Sequence, residues 1–277
     1  MIELPESHAL ALEANRLFTG KTIAGAEAGT TPHKFAWFFQ DPADYSGRLV
    51  GRVFSHAEAH GGLLDLYWEN SVLTFGDGIR LRYFSHSENA PERHQLRLDF
   101  SDGSGLIATV QMYGGLWCYP RNSFENPYHQ VAQSKPSPFS SAFDWRYFEG
   151  LIGGPETAGL SAKAVLATGQ RIPGLGNGCL QDILWEAGIH PKTKSGNLSS
   201  AEKQLLFGSV RSVLSRMRED GGRDTEFRLD GTPGGYKTIL GPGKNGTPCP
   251  KCGSMIVKEA FLGGSIYFCP SCQPLRK

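Results

Sequence analysis

The spacing of apolar residues changes twice along the chain. Apolar residues between Pro5 and Gly20 recur at helical spacing, which predicts one helix with Glu3 and Glu6 at its positive end. From residue 21 to about 117, short apolar runs alternate with Gly-Asp-Gly, Ser-Asp-Gly and Asn-Ala-Pro turns. Closely spaced strands without intervening helices indicate an antiparallel sandwich or barrel. The predicted strands are 49–53, 62–68, 72–75, 79–84, 95–100 and 106–112.

Helical spacing returns after residues 133–141, a Gln-Ser-Lys-Pro-Ser-Pro-Phe-Ser-Ser segment that fits neither period and predicts a linker. The pattern predicts that Asn177 caps one later helix and that Ser199 or Ser200 caps another. The predicted helices are 143–151, 161–168, 177–187 and 200–218. We therefore expect a strand-rich domain with its leading helix, a linker, a helical domain and a final zinc segment. Their boundaries are 1–132, 133–141, 142–235 and 236–277.

The final segment contains two C-x-x-C pairs separated by sixteen residues. The four cysteines are Cys249, Cys252, Cys269 and Cys272. Two such pairs predict a tetrahedral zinc site, and the glycines at 263 and 264 allow a hairpin turn between them. The alternatives are two disulfides or a redox-active pair, but nothing else in the chain indicates an oxidising compartment and no βαβ pattern surrounds either pair. Four thiolates fill the coordination shell, so we expect one structural zinc ion without catalytic activity.

Composition narrows the class of protein without identifying it. The 277 residues are 39% hydrophobic with a net charge of +1, which is ordinary for a globular chain. No apolar run is long enough for a membrane span or a signal peptide, so a cytoplasmic protein without membrane association is predicted. From residue 237 onward, the charged residues are lysines and arginines with a single acidic residue, Glu259. The local positive potential favours an acidic partner.

A glycine-rich turn, Gly174-Leu175-Gly176-Asn177-Gly178, precedes one predicted helix. It is not a dinucleotide-binding fingerprint, because the glycine spacing differs and a helix, not a strand, comes before it. Its backbone N–H groups could bind a phosphate oxygen, or its glycines could simply allow two helices to pack closely. The spacing alone leaves both interpretations open.

Three segments carry a resemblance to a known family. They resemble the formamidopyrimidine-DNA glycosylase and endonuclease VIII family. The three segments are the N-terminal Met-Ile-Glu-Leu-Pro-Glu, residues 163–191, and the four-cysteine C-terminal segment that closes with Gln273. The resemblance implies an α+β fold with an N-terminal antiparallel β-sandwich, flanking helices, a helix–two-turn–helix domain and a C-terminal zinc β-hairpin. It also implies a monomer that holds damaged or abasic double-stranded DNA between its halves. Lys163 and Asn177 match the family's phosphate-binding lysine and asparagine.

The residues that carry the family's chemistry differ here. The resemblance implies an N-terminal proline whose secondary amine forms a Schiff base with the lesion sugar, but this position is Ile2. Methionine is expected to remain before isoleucine, so the Met1 amine is the candidate replacement nucleophile. Glu3 and Glu6 are the retained candidate catalytic carboxylates, although they also stabilise a helix start. Whether the protein is an enzyme therefore stays open.

The DNA-gripping positions differ as well. By the resemblance, the zinc-hairpin arginine corresponds to Gly264 and an early-strand lysine to Gly62, whereas the side chains that replace a flipped base correspond to Asp77, Met112 and Tyr113. Tyr113 can stack on a base, and phosphate repels Asp77. We therefore expect a DNA-binding protein with weak or no glycosylase activity. The alternatives are an active glycosylase and AP lyase with a non-proline nucleophile, and a zinc-stabilised protein-interaction module.

Overall fold

The computed structural model describes residues 1–85 and 93–276. Within those ranges no helix is both long and apolar enough to cross a bilayer. The chain groups into two compact units. The first unit comprises Met1–Gln130 with Arg218–Tyr236, and the second comprises Val131–Met217 with Lys237–Lys277. The four-part division expected from the sequence stays a prediction.

The first unit is built on a sheet in the order β1-β6-β7-β5-β4-β3. Neighbours in this order pair antiparallel, and β2 pairs parallel with β7. The strands are β1 (Ile23–Ala28), β2 (Ala36–Phe38), β3 (Phe54–His60), β4 (Leu63–Trp68), β5 (Ser71–Phe84), β6 (Leu96–Phe100) and β7 (Gly105–Pro120). The helices of this unit are α1 (Leu4–Phe18) and α2 (Tyr45–Leu49).

The two outer strands of this sheet approach each other. A bridge joins Thr22 to Val53, and the amide of Phe54 donates to the carbonyl of Lys21 at 2.9 Å. Helix α1 packs on β3 and β4 and buries Phe18 completely. The edge contacts satisfy backbone groups that an open sheet would expose. The antiparallel, helix-flanked fold class predicted from the sequence is confirmed.

Two of the predicted strand boundaries are wrong. Residues 49–53 do not form a strand, because Tyr45 and Leu49 lie one helical turn apart on the buried side of α2. The predicted strands 72–75 and 79–84 are parts of the single strand β5, and the Gly-Asp-Gly between them forms a bulge with Asp77 at φ +61°. A Cβ on Gly78 would lie 2.6 Å from the carbonyl oxygen of Tyr113, so glycine permits close approach to β7. The Asn-Ala-Pro turn lies outside the described residues.

The second unit is helical and ends in a hairpin. The boundary between the units falls within α3 (Pro127–Ser134), so the predicted linker begins inside a helix. The following helices are α4 (Trp145–Gly153), α5 (Pro155–Ala158), α6 (Ala162–Ala167), α7 (Asn177–Glu186) and α8 (Ser200–Glu219). The hairpin strands are β8 (Val257–Phe261) and β9 (Gly264–Phe268). Leu262 and Gly263, both with positive φ, form its two-residue turn.

Helix starts in this unit follow the predicted chemistry with one exception. Ser199 caps α8, since its hydroxyl accepts from the Glu202 amide while the Glu202 carboxylate accepts from the Ser199 amide. The prediction that Asn177 caps α7 is wrong, because Gly176 is the extended capping residue and Asn177 is the first helical residue. This position turns the Asn177 side chain toward the hairpin.

Candidate nucleic-acid interface and zinc centre

The four hairpin cysteines form a compact sulfur cluster. Their Sγ atoms all lie within 4.8 Å of one another, with Cys249 and Cys272 separated by 3.9 Å and Cys252 and Cys269 by 3.4 Å. A tetrahedral zinc ion with Zn–S bonds of about 2.3 Å separates its sulfurs by about 3.8 Å, so the cluster fits zinc. A disulfide needs about 2.0 Å, and all four cysteines are free. The disulfide alternative is therefore excluded.

Neighbouring side chains hold the sulfur cluster in place. The indole Nε1 of Trp185, on α7, donates to Cys249 Sγ at 3.4 Å. The amide side chain of Gln273 accepts from the Cys269 backbone and donates to the Ile189 carbonyl, both at 2.9 Å. Such contacts orient ligands and adjust the electron density on sulfur. Zinc thus supplies structure here, and these two residues connect it to the helical part of the second unit.

Lys163 and Asn177 meet at the tip of the hairpin. Lys163 Nζ donates to the carbonyl of Phe261 at 2.7 Å, and Asn177 Nδ2 donates to the carbonyl of Ser265 at 2.9 Å. Gly264 lies between them, because a Cβ built on it would be 3.5 Å from Lys163 Nζ and 3.8 Å from Asn177 Nδ2. The structure therefore brings together the two predicted phosphate contacts and the position of the missing arginine. We call these three residues the hairpin corner.

The electrostatics of the hairpin corner follow from burial. Lys163 is only 4% exposed, and this desolvation lowers its pKa from the ordinary value. Its described partner is a neutral carbonyl and not a carboxylate, so its positive charge is not cancelled by an ion pair. Gln181 Nε2, on α7, also donates to the Ser265 carbonyl at 3.1 Å. A positive group fixed beside exposed backbone suits an anionic partner.

The predicted catalytic carboxylates lie in a second, buried cluster at the N-terminus of the first unit. Arg223 donates from Nε and Nη2 to the two carboxylate oxygens of Glu6, each at 2.9 Å, and from Nη1 to Glu3 at 3.5 Å. All three residues are at most 5% exposed. The backbone amide of Ile2 donates to the Asp77 carbonyl at 2.7 Å, and this hydrogen bond holds the N-terminal residues against the β5 bulge. We call Glu3, Glu6 and Arg223 the arginine cluster.

Charge pairing sets the protonation of these groups. Burial alone would raise the pKa of Glu6, but the charge and hydrogen bonds of Arg223 outweigh it and hold that pKa below its ordinary value. The Met1 ammonium pairs with Glu226, whose pKa is raised by burial despite that neighbouring positive charge. Arg223 thus forms hydrogen bonds with both predicted catalytic carboxylates, and the Met1 ammonium pairs with Glu226.

Tyr113 lies in an exposed aromatic group near Met1. Its ring packs against Trp37 at a centroid distance of 5.8 Å, and its hydroxyl lies 4.0 Å from the Met1 sulfur. Parallel pairing of β2 with β7 places Trp37 opposite Gly115, which brings the two aromatic residues together. Burial, followed by the Asp77 charge, raises the pKa of Tyr113. Trp37 is 44% exposed and adds stacking surface that the sequence analysis did not identify.

Sequence reasoning also missed Arg223 and Glu226. They follow α8 in a Gly-Gly-Arg-Asp-Thr-Glu stretch that had no periodic pattern, and Arg223 is 217 positions from Glu6. Gly222, at φ +99°, lies close to Glu6 and allows the backbone amide of Arg223 to reach that carboxylate. A buried arginine is rarely left unpaired, so two unexplained carboxylates at the N-terminus were the available signal.

The comparisons with known proteins agree with these features. Residues 246–275 match the family model described as a zinc finger found in FPG and IleRS. The chain is 31% identical over 287 residues to a formamidopyrimidine-DNA glycosylase of Symbiobacterium thermophilum, covering 99% of this chain and 90% of that protein. The chain belongs to the formamidopyrimidine-DNA glycosylase family. A second member of the family, from Bacillus cereus, is 26% identical over 280 residues and 99% of each chain.

Solved structures of the formamidopyrimidine-DNA glycosylase family share the same fold. The Lactococcus lactis Fpg in complex with DNA containing an abasic site is 25% identical, with a TM-score of 0.82 over 98% of this chain and 99% of that one. The Thermus thermophilus MutM (Fpg) protein gives a TM-score of 0.81 at 23% identity, over 99% of this chain and 100% of that one. This chain is thus an Fpg-like DNA repair protein with one structural zinc site.

Proposed function

We propose that this protein binds double-stranded DNA at abasic or similarly distorted sites and excises damaged bases weakly or not at all. The observation that supports weak excision is the arginine cluster. A general acid or base needs a free carboxylate oxygen within about 3 Å of the reacting proton. Both oxygens of Glu6 accept from Arg223, and Glu3 is buried beside it.

The space beside Met1 supports the same conclusion. A cavity of about 210 Å³ opens there, lined among others by Met1, Glu6, Gln111 and Glu226. Pockets that enclose small ligands measure roughly 300–1,000 Å³. The cavity is thus smaller than a typical pocket for a whole small ligand. The Met1 amino group is also paired with Glu226, so it must leave that carboxylate before it can attack a sugar carbon.

The DNA-binding half of the proposal depends on the hairpin corner and the aromatic pair. Lys163 and Asn177 supply phosphate contacts, and the exposed ring of Trp37 with the half-buried ring of Tyr113 supplies a surface on which an unstacked base can lie. An abasic site removes part of the cost of opening the duplex, which is a few kcal/mol for a normal base. Preference for such a site can therefore persist without efficient excision.

Binding and cleavage should be measured on matched duplexes. Fluorescence anisotropy with an abasic-analogue duplex should give a Kd about tenfold lower than with intact duplex, equivalent to ~1.4 kcal/mol. A duplex containing 8-oxoguanine should remain uncut under the same conditions. Efficient excision that Glu3→Gln abolishes would show a working glycosylase, and equal affinity for both duplexes would reduce the protein to a general DNA binder.

A second candidate function is AP lyase chemistry at the Met1 amine. The observation that favours it is the neighbouring Glu226, because a carboxylate with a raised pKa is a suitable proton acceptor. After deprotonation, the amine would add to the C1′ aldehyde of an abasic site and lose water to give an imine. Borohydride reduces such an imine to a stable cross-link. A trapped complex with wild type and a weaker one with Glu226→Gln would support this candidate, and no trapped complex would exclude it.

A further inference from the structure

A second small cavity lies on the face of the sheet in the first unit. It has a volume of about 160 Å³ and is lined by Arg80 and Arg82 of β5 with Ile107, Thr109 and Gln111 of β7. Alternation along a strand puts Arg80 and Arg82 on one face, about 6.6 Å apart along β5. The pairing of Arg80 with Thr109 and of Arg82 with Ile107 places the β7 residues opposite them. Two guanidinium groups, a hydroxyl and an amide thus line one cavity.

These two arginines differ from the other arginines around them. Each of several other arginines in the first unit has a carboxylate partner; they are Arg48, Arg52, Arg97, Arg223 and Arg228. Across residues 1–85 and 93–276, Arg80 and Arg82 form no ion pair. Of the acids on the adjacent loop, Glu226 pairs with Met1, and Asp230 accepts from Thr232. Among the described residues, neither arginine of this cavity therefore has a carboxylate within ion-pair distance.

Packing holds one of the two arginines in position. The guanidinium carbon of Arg80 lies 3.5 Å from the centroid of the Phe227 ring, in cation–π contact. This contact leaves the planar edge of the guanidinium available for hydrogen bonds. Arg82 is exposed, and its Nε would lie 3.6 Å from a Cβ built on Gly231. One arginine is thus pre-positioned, and the other can adjust to a ligand.

The arginine cavity adjoins the cavity beside Met1. Arg80 and Gln111 line both of them. A nucleic-acid strand that places one sugar beside Met1 can therefore place a neighbouring phosphate near Arg80 and Arg82. Paired guanidinium donors match phosphate oxygens better than they match a neutral ligand.

We propose that Arg80 and Arg82, with Thr109 and Gln111, form a subsite for a DNA phosphodiester next to the nucleotide held beside Met1. This inference rests on the proposed DNA-binding function and adds a phosphate contact on the sheet of the first unit, separate from the hairpin corner. Each phosphate contact contributes about 0.9 to the magnitude of the slope of log affinity against log salt.

The test compares salt dependence among single variants of the full-length protein on an abasic-analogue duplex. Arg82→Gln should weaken binding and lower the magnitude of the slope by about 0.9, because Arg82 is exposed and its loss leaves the core intact. Arg82→Lys should retain most of the slope, since lysine keeps the charge. The matched control is Arg52→Gln, which removes the same charge from a surface pair with Glu69 and should leave the slope unchanged.

Each result supports or contradicts a particular proposal. An unchanged slope in both Arg82→Gln and Arg80→Gln, with wild type binding the duplex, would overturn the subsite and leave the proposed function standing. Wild-type protein that binds no duplex would overturn both. An equal loss of slope in Arg52→Gln would also contradict the subsite, because the effect would then reflect net charge alone.

Discussion

The arginine cluster and the hairpin corner both bring distant polar side chains together, but they leave those side chains in opposite states. In the arginine cluster, the buried guanidinium of Arg223 pairs with both Glu3 and Glu6 in a site excluded from water. In the hairpin corner, the described partner of Lys163 is a neutral backbone oxygen, so no carboxylate offsets the charge of its ammonium group. Convergence of polar groups therefore does not by itself mark a reactive site. What matters is whether the partner neutralises the group.

Of the changes considered, removing the zinc should have the largest effect, because the hairpin corner depends on the hairpin. Cys252→Ser should abolish stoichiometric zinc and disorder the hairpin, since structural zinc contributes roughly 10–16 kcal/mol to small zinc-binding folds. DNA binding should weaken with the loss of the hairpin corner. Metal analysis and anisotropy on the same preparation would check both effects. The matched control is Cys118→Ser, which replaces a buried cysteine outside the quartet. This variant protein should keep its zinc. Full affinity in metal-free protein would contradict the prediction.

Breaking the arginine cluster should be nearly as damaging to stability. Arg223→Ala removes the guanidinium that the buried carboxylates of Glu3 and Glu6 share, and loss of one partner from a buried pair costs about 3–5 kcal/mol. Arg52→Ala, in an exposed pair with Glu69, should cost about 0–1 kcal/mol. Urea unfolding of both variants gives the comparison. Similar stabilities would show that the cluster is not a structural ion pair.

The pH dependence of stability should change sign with the same substitution. In wild type the folded pKa of Glu6 lies below the unfolded value of about 4.5, so its stabilisation is present above that value and is lost as pH falls through the folded pKa. In Arg223→Ala, burial would raise the folded pKa instead, and the contribution of Glu6 to the unfolding free energy would increase as pH falls. Subtracting the two pH profiles between about pH 3 and 7, a range that brackets that value, isolates this change. Parallel profiles would contradict the assignment.

Substitution of Lys163 tests the hairpin corner as a phosphate-binding site. Lys163→Ala should weaken binding to all DNA sequences similarly and lower the magnitude of the salt slope by about one. Lys203→Ala, on α8, removes the same charge outside the hairpin corner and should leave the slope unchanged. Anisotropy titrations at several salt concentrations measure both. An unchanged slope in Lys163→Ala would assign this lysine to holding the Phe261 carbonyl only.

The smallest expected effect is a gain. Gly264 does not have a positive φ, and a Cβ there would make ordinary van der Waals contact with Lys163 Nζ at 3.5 Å, so arginine fits without backbone strain. Gly264→Arg should tighten DNA binding and raise the slope magnitude by about 0.9. At Gly263, with φ +70°, the same substitution should instead cost roughly 1–2 kcal/mol of stability. Weaker DNA binding by Gly264→Arg would contradict the assignment of the hairpin corner as a phosphate-binding site.

The sequence predicted features that local spacing determines. The four cysteines and the hairpin glycines specify the zinc segment within thirty residues, because ligand spacing and turn chemistry are local properties. The helix start at Ser199 was predicted for the same reason. The Gly-Asp-Gly segment also carried a clear local signal for a turn, but pairing of β5 with the long strand β7 overrode it. Tertiary packing, which no local pattern contains, therefore decided that segment.

The arginine cluster could not be predicted by the same route. Glu3 and Glu6 suited a helix start and matched family positions, and both expectations are compatible with the fold. Their pairing depends on Arg223, which lies in a glycine-rich stretch that contributes no periodic signal. The site could be predicted as a list of residues, but not as a charge state. Lys163 and Asn177 were predicted by the resemblance, and their meeting at Gly264 required the structure.

The hydrogen bond from Trp185 to Cys249 also gives the protein an internal optical probe. The indole is 5% exposed, and its nitrogen donates directly to a sulfur of the zinc quartet. Tryptophan emission shifts to longer wavelength when water reaches the ring, so withdrawal of the metal should be visible as a red shift from this residue. Replacing Trp185 with phenylalanine would remove that signal while the remaining four tryptophans report on the rest of the chain. Metal occupancy can thus be followed continuously in solution, without a label.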